Sequence, residues 1–152
     1  MIKSIALFTS IVVIAANGII PIKATYQEPY ERANMTEEEF IFISSVVEAE
    51  SDRSESLDGR ILIAETILNR VNSPSFPDTI TGVLTQSGQF TTVVNGHSVT
   101  ERTELSDQSV IIAVQEIESG TAPEVLFFNC ISYFDGYPQY AYVDGNYFSL
   151  GA

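Results

Sequence analysis

The first predicted helix of the chain ends in a carboxyl group, at a position where its pattern calls for an apolar residue. Apolar side chains recur at Phe40, Ile43 and Val47, which is the spacing of one buried face of an α-helix. One further step of three residues along that face reaches Glu50. Glu48 lies two residues earlier, about 200° round the helix axis, and is expected on the polar side.

A carboxyl group on a buried face has a distinctive acid–base chemistry. Because burial penalises the charged form, the pKa of Glu50 is expected to lie above that of an exposed glutamate. Such a group can protonate a leaving oxygen and then take a proton back, which is what the cleavage of a glycosidic bond requires. The spacing alone leaves a second interpretation open, in which the helix has ended by Glu50 and its side chain meets water.

The chain offers few other residues for nucleophilic catalysis or metal binding. It has one cysteine, Cys130, and one histidine, His97, so an internal disulfide and a thiol- and imidazole-rich zinc site are both excluded. A Cys–His nucleophilic pair is a formal alternative. However, Cys130 lies in the strand-like apolar run 126–131, where a buried and inert thiol is the ordinary interpretation. His97 is expected to be exposed, and no metal or cofactor is predicted.

The helix that carries the candidate glutamate begins with a clear start signal. Thr36 and Glu39 have the spacing of a capping box, in which each side chain bonds the backbone N–H of the other residue. The helix is therefore predicted over residues 37–50. Its polar side is expected to include Ser44 and Ser45.

Helical patterns give way to strand patterns in the last part of the chain. Helices are predicted over about 59–71, then as a short helix capped by Asp78, and again from about Ser106 to a stop at Gly120. The period then changes to two, which is typical of strands. A helical part followed by a small β part predicts an α+β fold class. The predicted strands are 125–131, 140–143 and 145–148.

The amino-terminal segment has the pattern of an export signal. Lys3 gives a short positive start, a mostly apolar run follows, and small residues around Ala24 offer a cleavage point. A retained membrane anchor is the alternative, because the run is nearly long enough to span a bilayer. In both cases the catalytic part is expected outside the cytoplasm, as a secreted or wall-associated domain. The predicted divisions are a signal peptide over 1–24, a linker over 25–36 and the catalytic domain over 37–152.

The acidic composition limits the ligands that the chain can attract. The formal net charge is −13, and cleavage of a leader that carries both lysines would make it −15. A chain of this charge has no electrostatic attraction to nucleic acid or to an anionic membrane surface. Its ligand is expected to be neutral, zwitterionic, or held by hydrogen bonds and stacking, and sugars meet that requirement. The protein is expected to be a monomer.

The central part of the sequence carries several short and specific strings. The most specific are LNRV at 68–71, FP at 76–77 and GQF at 88–90. Together with other blocks in the same order, they resemble the SleB/CwlJ-type cell wall hydrolases, the family of spore-cortex-lytic enzymes. The resemblance runs from about Glu38 to Phe148, which is essentially the whole predicted domain. The blocks are 47–50, 58–60, 64–71, 73–80, 82–90, 95–96, 125–129 and 145–148.

The resemblance implies a lysozyme-like fold related to lytic transglycosylases, acting on the glycan strand of peptidoglycan in the wall or the spore cortex. The family's catalytic glutamate lies in an (A/G)-E-A element, and the matching residue here is Glu50. In lytic transglycosylation Glu50 alone would protonate the oxygen between N-acetylmuramic acid and N-acetylglucosamine, then deprotonate the muramoyl 6-hydroxyl. In hydrolysis by a muramidase a second carboxylate is expected, and Asp52 and Glu55 are the nearest in sequence.

Four further residues are candidates for substrate binding. Gln89, in the GQF string, is expected either to bond an acetamido or hydroxyl group of the sugar or only to hold its loop. Phe90 is a candidate sugar contact, with core packing as the more common role for such a ring. Asn95 opens an Asn-Gly turn that could line the cleft. Tyr147 is expected to present its hydroxyl to the sugar or to pack in the core.

The sequence also departs from the family's pattern. The loop at 51–56 lacks the glycine and the aromatic residue of the common A-(R/G)-G-E-x-Y, and the usual Trp after the A-L-Y-F strand is absent. These departures bear on the substrate variant and on the level of activity. Two other classes of function therefore stay open. They are a non-catalytic exported relative that binds glycan or protein, and an N-acetylmuramoyl-L-alanine amidase.

Overall fold

The structure is a computed structural model, and it describes residues 11–15, 18–22, 27–51 and 56–151. Strands β1 (Ile11–Ala15) and β2 (Gly18–Ile22) pair antiparallel. The start and the cleavage point of the predicted signal peptide lie outside the described residues, as do Asp52 and Glu55, so these interpretations stay predictions. Within the described ranges, no helix is both long enough and apolar enough to cross a bilayer.

The helical part consists of three long helices with short ones beside them. The helices α2, α3 and α5 pack against one another, and their shared core includes Phe40, Ile43, Ile67 and Val110, each at most 1 % exposed. Burial of such side chains stabilises the fold by about 1.5–3 kcal/mol each. The helices are α1 (Pro29–Arg32), α2 (Glu37–Glu50), α3 (Leu57–Asn72), α4 (Ile80–Leu84) and α5 (Glu104–Ser119).

The β part consists of a short hairpin and a three-stranded antiparallel sheet. The sheet has the order β5-β7-β6, with β7 in the centre, and its fully buried Val125 and Phe148 join the core of the helices. Helices followed by a small sheet confirm the predicted α+β class. The strands are β3 (Val93–Val94), β4 (His97–Ser98), β5 (Val125–Asn129), β6 (Gln139–Val143) and β7 (Asn146–Leu150).

The local signals at helix ends were mostly sufficient to place the helices. The capping box between Thr36 and Glu39 is present, and α2 has the predicted bounds. Gly120 ends α5 in the left-handed conformation, with φ of 70°. The cap of α4 was predicted wrongly, because the residue directly before the helix is Thr79 rather than Asp78. Its hydroxyl accepts a hydrogen bond of 3.1 Å from the backbone N–H of Gly82.

Two predictions about polar segments were wrong. Ser44 and Ser45 are 0 % and 7 % exposed rather than on a solvated side, because α2 is packed against α3, α4, α5 and β4 and has little free surface. The predicted linker over 25–36 contains helix α1, and Ala33 after it is only 2 % exposed. Part of this segment therefore belongs to the folded domain.

The environment of the single cysteine was also predicted wrongly. Strand β5 ends at Asn129, two residues before the predicted end, and Cys130 is exposed. The Asn129 side chain accepts a hydrogen bond of 2.7 Å from the backbone N–H of Ile131, which turns the chain away from the sheet. The thiol is therefore at the surface, just after the strand, and is not part of the apolar core.

Candidate active site

A cleft of about 370 Å³ opens where the end of α2 meets the loop before β3 and the ends of strands β5 and β7. Its walls combine aromatic rings with hydrogen-bonding side chains, which is the usual composition of a site that binds sugars or other polar ligands. Glu50 and Gln89 both belong to these walls. The lining residues are Ala49, Glu50, Arg70, Gln89, Thr91, Thr92, Phe128, Asn129, Cys130, Phe134, Asp144, Gly145 and Asn146.

Glu50 is the last residue of α2 and is half-buried at the cleft. Burial raises the pKa of its carboxyl above the ordinary value, and a hydrogen bond of 3.1 Å from the Thr92 hydroxyl offsets only part of this effect. The last turn of α2 contains no basic residue. Because the carboxyl end of a helix carries partial negative charge, its position also disfavours the carboxylate. The surroundings of Glu50 in the cleft wall therefore favour the protonated carboxyl over the carboxylate.

Glu48, on the other side of the same helix, is held as a carboxylate. Arg60 donates two hydrogen bonds to it, of 2.9 and 3.3 Å, and the Thr103 hydroxyl donates a third of 2.6 Å. Burial would raise the pKa of Glu48, but the bonds from Arg60 and Thr103 and the charge of Arg60 outweigh burial and lower the pKa. This carboxylate connects the end of α2 to the starts of α3 and α5, and is not a proton donor.

Gln89 is fixed in the cleft by a buried arginine. The side-chain oxygen Oε1 of Gln89 accepts a hydrogen bond of 3.0 Å from Nη1 of Arg70. The amide N–H groups of Gln89 are thereby left as the donors, and they suit a carbonyl acceptor such as an acetamido oxygen. The two predicted roles of Gln89 are therefore compatible, since one end of the amide holds the loop and the other lines the cleft.

Arg70 itself is anchored on three sides. It is 3 % exposed, donates a hydrogen bond of 2.8 Å from Nε to the carbonyl of Leu126, and lies over the rings of Phe76 and Phe90 at 5.0 and 5.7 Å. Burial lowers its pKa to about 10, so it stays protonated at neutral pH. Arg70 thus joins α3 to β5, and its hydrogen bond to Gln89 fixes the position of that side chain.

Asp144 is a second acidic side chain in the cleft wall, and the sequence interpretation missed it. It lies in the turn between β6 and β7 with φ of 52°, and its carboxylate accepts a hydrogen bond from the Ser56 hydroxyl. The same carboxylate occupies the space into which a side chain at Gly59 would project. The glycine near the start of α3 is thus required for this close approach. The Asp144-Gly145 dipeptide is a turn signal in the sequence, but it does not place the carboxylate in the cleft.

The remaining sequence candidates do not all lie at the cleft. Phe90 is 5 % exposed and contacts Phe128, with 6.4 Å between ring centroids, so it supports the cleft from the core. Asn95 is exposed in the β3–β4 turn with φ of 52° and lies outside the cleft lining. Tyr147 is half-buried next to the lining residue Asn146 and is not itself in the lining. His97 is exposed, as predicted.

A larger cavity, of about 600 Å³, lies along the first half of α2. Its lining includes Phe42, Ser45 and His97, and neither Glu50 nor Gln89 is part of it. Among its described lining residues, the ionisable side chains are Glu38, Glu39 and His97, and none of the three is buried. The smaller cleft is therefore the better candidate for acid–base chemistry.

Comparison with known families decides the family of the chain. The family model for the cell wall hydrolases matches residues 54–144, which is well over half of the sequence. The chain belongs to the cell wall hydrolase family. The resemblance to SleB/CwlJ-type enzymes seen in the sequence is thus confirmed. The matched stretch contains Arg70, Gln89 and Asp144, whereas Glu50 lies four residues before it.

Individual members of the cell wall hydrolase family support the same assignment. The spore cortex-lytic enzymes of Oceanobacillus iheyensis and Bacillus subtilis are each 37 % identical to this chain over 62 residues. That segment is 41 % of this chain and 22 % and 20 % of the two relatives, so the chain matches about a fifth of the length of these curated relatives.

Two solved structures from the family share the fold. The catalytic domain of the Bacillus cereus SleB protein has a TM-score of 0.62 and 26 % identity, with 75 % of this chain and 91 % of that domain covered. The catalytic domain of the germination-specific lytic transglycosylase SleB from Bacillus anthracis has the same TM-score and identity, with 95 % of that domain covered. The predicted α+β fold with a helical lobe and a small β part is therefore confirmed.

Proposed function

We propose that this chain cleaves the glycan strand of peptidoglycan, between N-acetylmuramic acid and N-acetylglucosamine, by lytic transglycosylation. The observation that carries the proposal is the Glu50 carboxyl, which lies in a cleft wall with a raised pKa. Among the described residues, only the Thr92 hydroxyl hydrogen-bonds it. One carboxyl that exchanges a proton twice is sufficient for this reaction. Membership of the cell wall hydrolase family gives the substrate class.

The proposed reaction moves one proton out and one proton back. The Glu50 carboxyl protonates the glycosidic oxygen, the bond from that oxygen to muramoyl C1 breaks, and N-acetylglucosamine leaves with a free 4-hydroxyl. The muramoyl 6-oxygen then bonds to C1 as its proton passes to the Glu50 carboxylate, which closes a 1,6-anhydro ring. Glu50 ends in its starting state, and no water is consumed.

The neighbours of Glu50 suit this sequence of steps. The Thr92 hydroxyl stabilises the carboxylate that forms after the first proton transfer. The amide donors of Gln89, oriented by Arg70, can hold an acetamido oxygen and thereby position the sugar. The cleft carries acidic and neutral side chains besides the buried Arg70, in keeping with a ligand recognised mainly by hydrogen bonds.

The substrate places this activity outside the cytoplasm, in the wall or the spore cortex. The relatives in Oceanobacillus iheyensis and Bacillus subtilis are named spore cortex-lytic enzymes, which supports the cortex as a substrate. Export by a cleaved signal peptide over residues 1–24 remains part of the proposal.

Hydrolysis is the second candidate, because Asp144 supplies another carboxylate in the same cleft. A muramidase needs a second carboxyl that activates a water molecule or attacks the sugar. Asp144 accepts a hydrogen bond from Ser56 and is wedged against Gly59, and both contacts favour a fixed supporting role. The predicted partners Asp52 and Glu55 lie outside the described residues and stay predictions.

Product analysis separates these reactions. Purified peptidoglycan and spore cortex are digested with the full chain, and the released fragments are identified by mass spectrometry. Anhydro-muropeptides support transglycosylation, reducing muropeptides indicate hydrolysis, and free stem peptides indicate an amidase. The Glu50→Gln variant should release nothing, whereas Asp144→Asn should keep the anhydro products. Binding without any release from the wild type would overturn the enzymatic proposal in favour of a non-catalytic relative.

A further inference from the structure

A row of tyrosine rings leads away from the cleft across the outer face of the sheet. Tyr147 of β7 pairs with Asn129 of β5 on one side and with Tyr142 of β6 on the other. Side chains at paired positions of antiparallel strands lie on the same face. Asn129 belongs to the cleft lining, so Asn129, Tyr147 and Tyr142 form a continuous line from the cleft to the edge strand.

The rings of this line contact one another. Tyr142 and Tyr147 have ring centroids 4.5 Å apart, and Tyr133 meets Tyr147 edge to face at 5.0 Å. These three residues are called the tyrosine row below. The outermost ring is the most accessible, since Tyr142 is 58 % exposed. Among the described residues, no group hydrogen-bonds the hydroxyls of the tyrosine row.

The chemistry of the tyrosine row suits a sugar chain better than other ligands. Aromatic rings present apolar faces to the C–H side of a pyranose, and free phenol hydroxyls donate and accept hydrogen bonds with sugar hydroxyls. No member of the row carries a charge, so its contacts with a ligand are limited to ring stacking and hydrogen bonds. Two strand spacings separate Asn129 from Tyr142, about 10 Å, roughly the length of a disaccharide.

We propose that the tyrosine row binds the glycan strand where it leaves the cleft, and so adds a binding site for about a disaccharide beyond the cleavage site. This inference rests on the proposed function, because it takes the glycan strand as the ligand of the cleft. It follows that the chain prefers long strands over short fragments. It also follows that the preference depends on side chains that take no part in the proton transfers.

The test compares long and short glycans with variants of the outermost ring. The probes are peptide-free glycan strands prepared from peptidoglycan, either as long strands or as tetrasaccharides. Tyr142→Ala should raise KM for long strands about threefold to tenfold without changing kcat, which is the size expected for the loss of one aromatic contact. It should leave tetrasaccharide cleavage unchanged, and Tyr142→Phe should keep most of the affinity.

Tyr140→Ala is the matched control, because Tyr140 is on the same strand, is 47 % exposed, and its ring does not contact the tyrosine row. Equal effects of Tyr140→Ala and Tyr142→Ala, or no effect of Tyr142→Ala on long strands, would overturn the inference while the proposed function stands.

Direct binding in the Glu50→Gln background separates binding from cleavage. If the Glu50→Gln protein binds long strands more tightly than tetrasaccharides, and Tyr142→Ala removes this difference, the tyrosine row is supported as a glycan-binding site. This conclusion holds even if the wild type does not cleave. A wild type that binds glycans of neither length overturns the proposed function and the inference together.

Discussion

Glu48 and Glu50 are the same residue type on the same helix, two positions apart, and the fold gives them opposite acid–base properties. Glu48 faces Arg60 and Thr103, which hold its carboxylate and lower its pKa. Glu50 faces the cleft, where the Thr92 hydroxyl is its only hydrogen-bond partner within the described part of the chain, and its pKa is raised. Burial acts in the same direction on both carboxyls, so the difference comes from the partners that each one meets.

This comparison shows how one helix can carry a structural and a reactive carboxyl side by side. A step of two residues turns a side chain about 200° round the helix, so one glutamate is directed toward neighbouring helices and the other toward the cleft. The arginine needed to neutralise Glu48 comes from the start of α3 and does not reach Glu50. The two residues are therefore matched controls for each other, and the predictions below use them in that way.

The largest expected effect is the loss of activity in Glu50→Gln. The amide cannot exchange the proton, so the rate of muropeptide release should fall about 10²- to 10⁴-fold. The free energy of unfolding should stay the same or rise, because a half-buried acid is replaced by a neutral side chain of the same shape. Thermal unfolding and turbidity loss of a peptidoglycan suspension measure the two properties. An active Glu50→Gln variant would show that another group donates the proton.

Glu48→Gln should have the opposite result, with lower stability and unchanged activity per folded molecule. Arg60 is 6 % exposed and would lose its charged partner, so the free energy of unfolding should fall by about 2–3 kcal/mol. Because the pKa of Glu48 is lowered in the fold, its contribution is present above the ordinary carboxyl pKa and is lost as pH falls. Urea unfolding at neutral and acidic pH should show that the variant's loss is largest at neutral pH. Equal stability of the variant and wild type at neutral pH would contradict this role.

A third glutamate, Glu65, extends the comparison, because it is buried and no cation of the described residues hydrogen-bonds or pairs with it. Glu65 of α3 is 1 % exposed, and its carboxyl oxygens have no hydrogen-bond partner of good geometry in the described part of the chain. Burial, followed by interaction with the Glu116 carboxyl of α5, raises the pKa of Glu65 to about 8. The folded protein thus keeps a proton here that the unfolded chain releases near pH 4.5.

The pH dependence that follows from Glu65 has a defined sign. Between about pH 4.5 and 8 the folded state binds the extra proton, so stability falls as pH rises through this window and then levels off. At about 1.4 kcal/mol per pH unit, the fall over this window should be on the order of 5 kcal/mol. Glu65→Gln should flatten the profile, and Glu116→Gln should end the fall at a lower pH, because loss of the neighbouring carboxyl lowers the pKa of Glu65 in the folded state. Urea unfolding at a series of pH values measures both, and an unchanged slope in Glu65→Gln would exclude this carboxyl as the cause.

The sequence pointed to Glu50 as a carboxyl on a buried helix face because this signal is local, and its catalytic role stays a prediction. The spacing of Phe40, Ile43 and Val47 defines a face, and a carboxyl on that face is visible without knowledge of the rest of the fold. The partner of Glu48 was not visible, because Arg60 belongs to the next helix. The burial of Ser44 was missed for a related reason, since it depends on how many elements surround α2.

The remaining parts of the cleft come from segments far apart in the chain. Thr92 reaches Glu50 from the loop before β3, and Asp144 enters from the last turn. Their positions depend on backbone turns, such as the positive φ of 52° at Asp144, which periodicity does not encode. The resemblance to a family pointed to Gln89 as a cleft residue. The hydrogen bond between its amide and Arg70 was not visible in the sequence, because the two residues belong to different segments of the chain.

The smallest expected effect concerns the hydrogen bond from Thr92, the one that the Glu50 side chain receives from the residues the structure describes. Thr92 donates to the charged form of Glu50 and so opposes the rise in its pKa; Thr92→Val should therefore raise that pKa further. Because the acid must be protonated to act, the pH at which kcat falls on the alkaline side should move upward by roughly half a unit. Thr91→Val is the matched control, since Thr91 lines the same cleft and no hydrogen bond joins it to Glu50 within the described residues. If kcat of Thr92→Val falls at the same alkaline pH as kcat of the wild type, the fall reflects the pKa of a group other than Glu50.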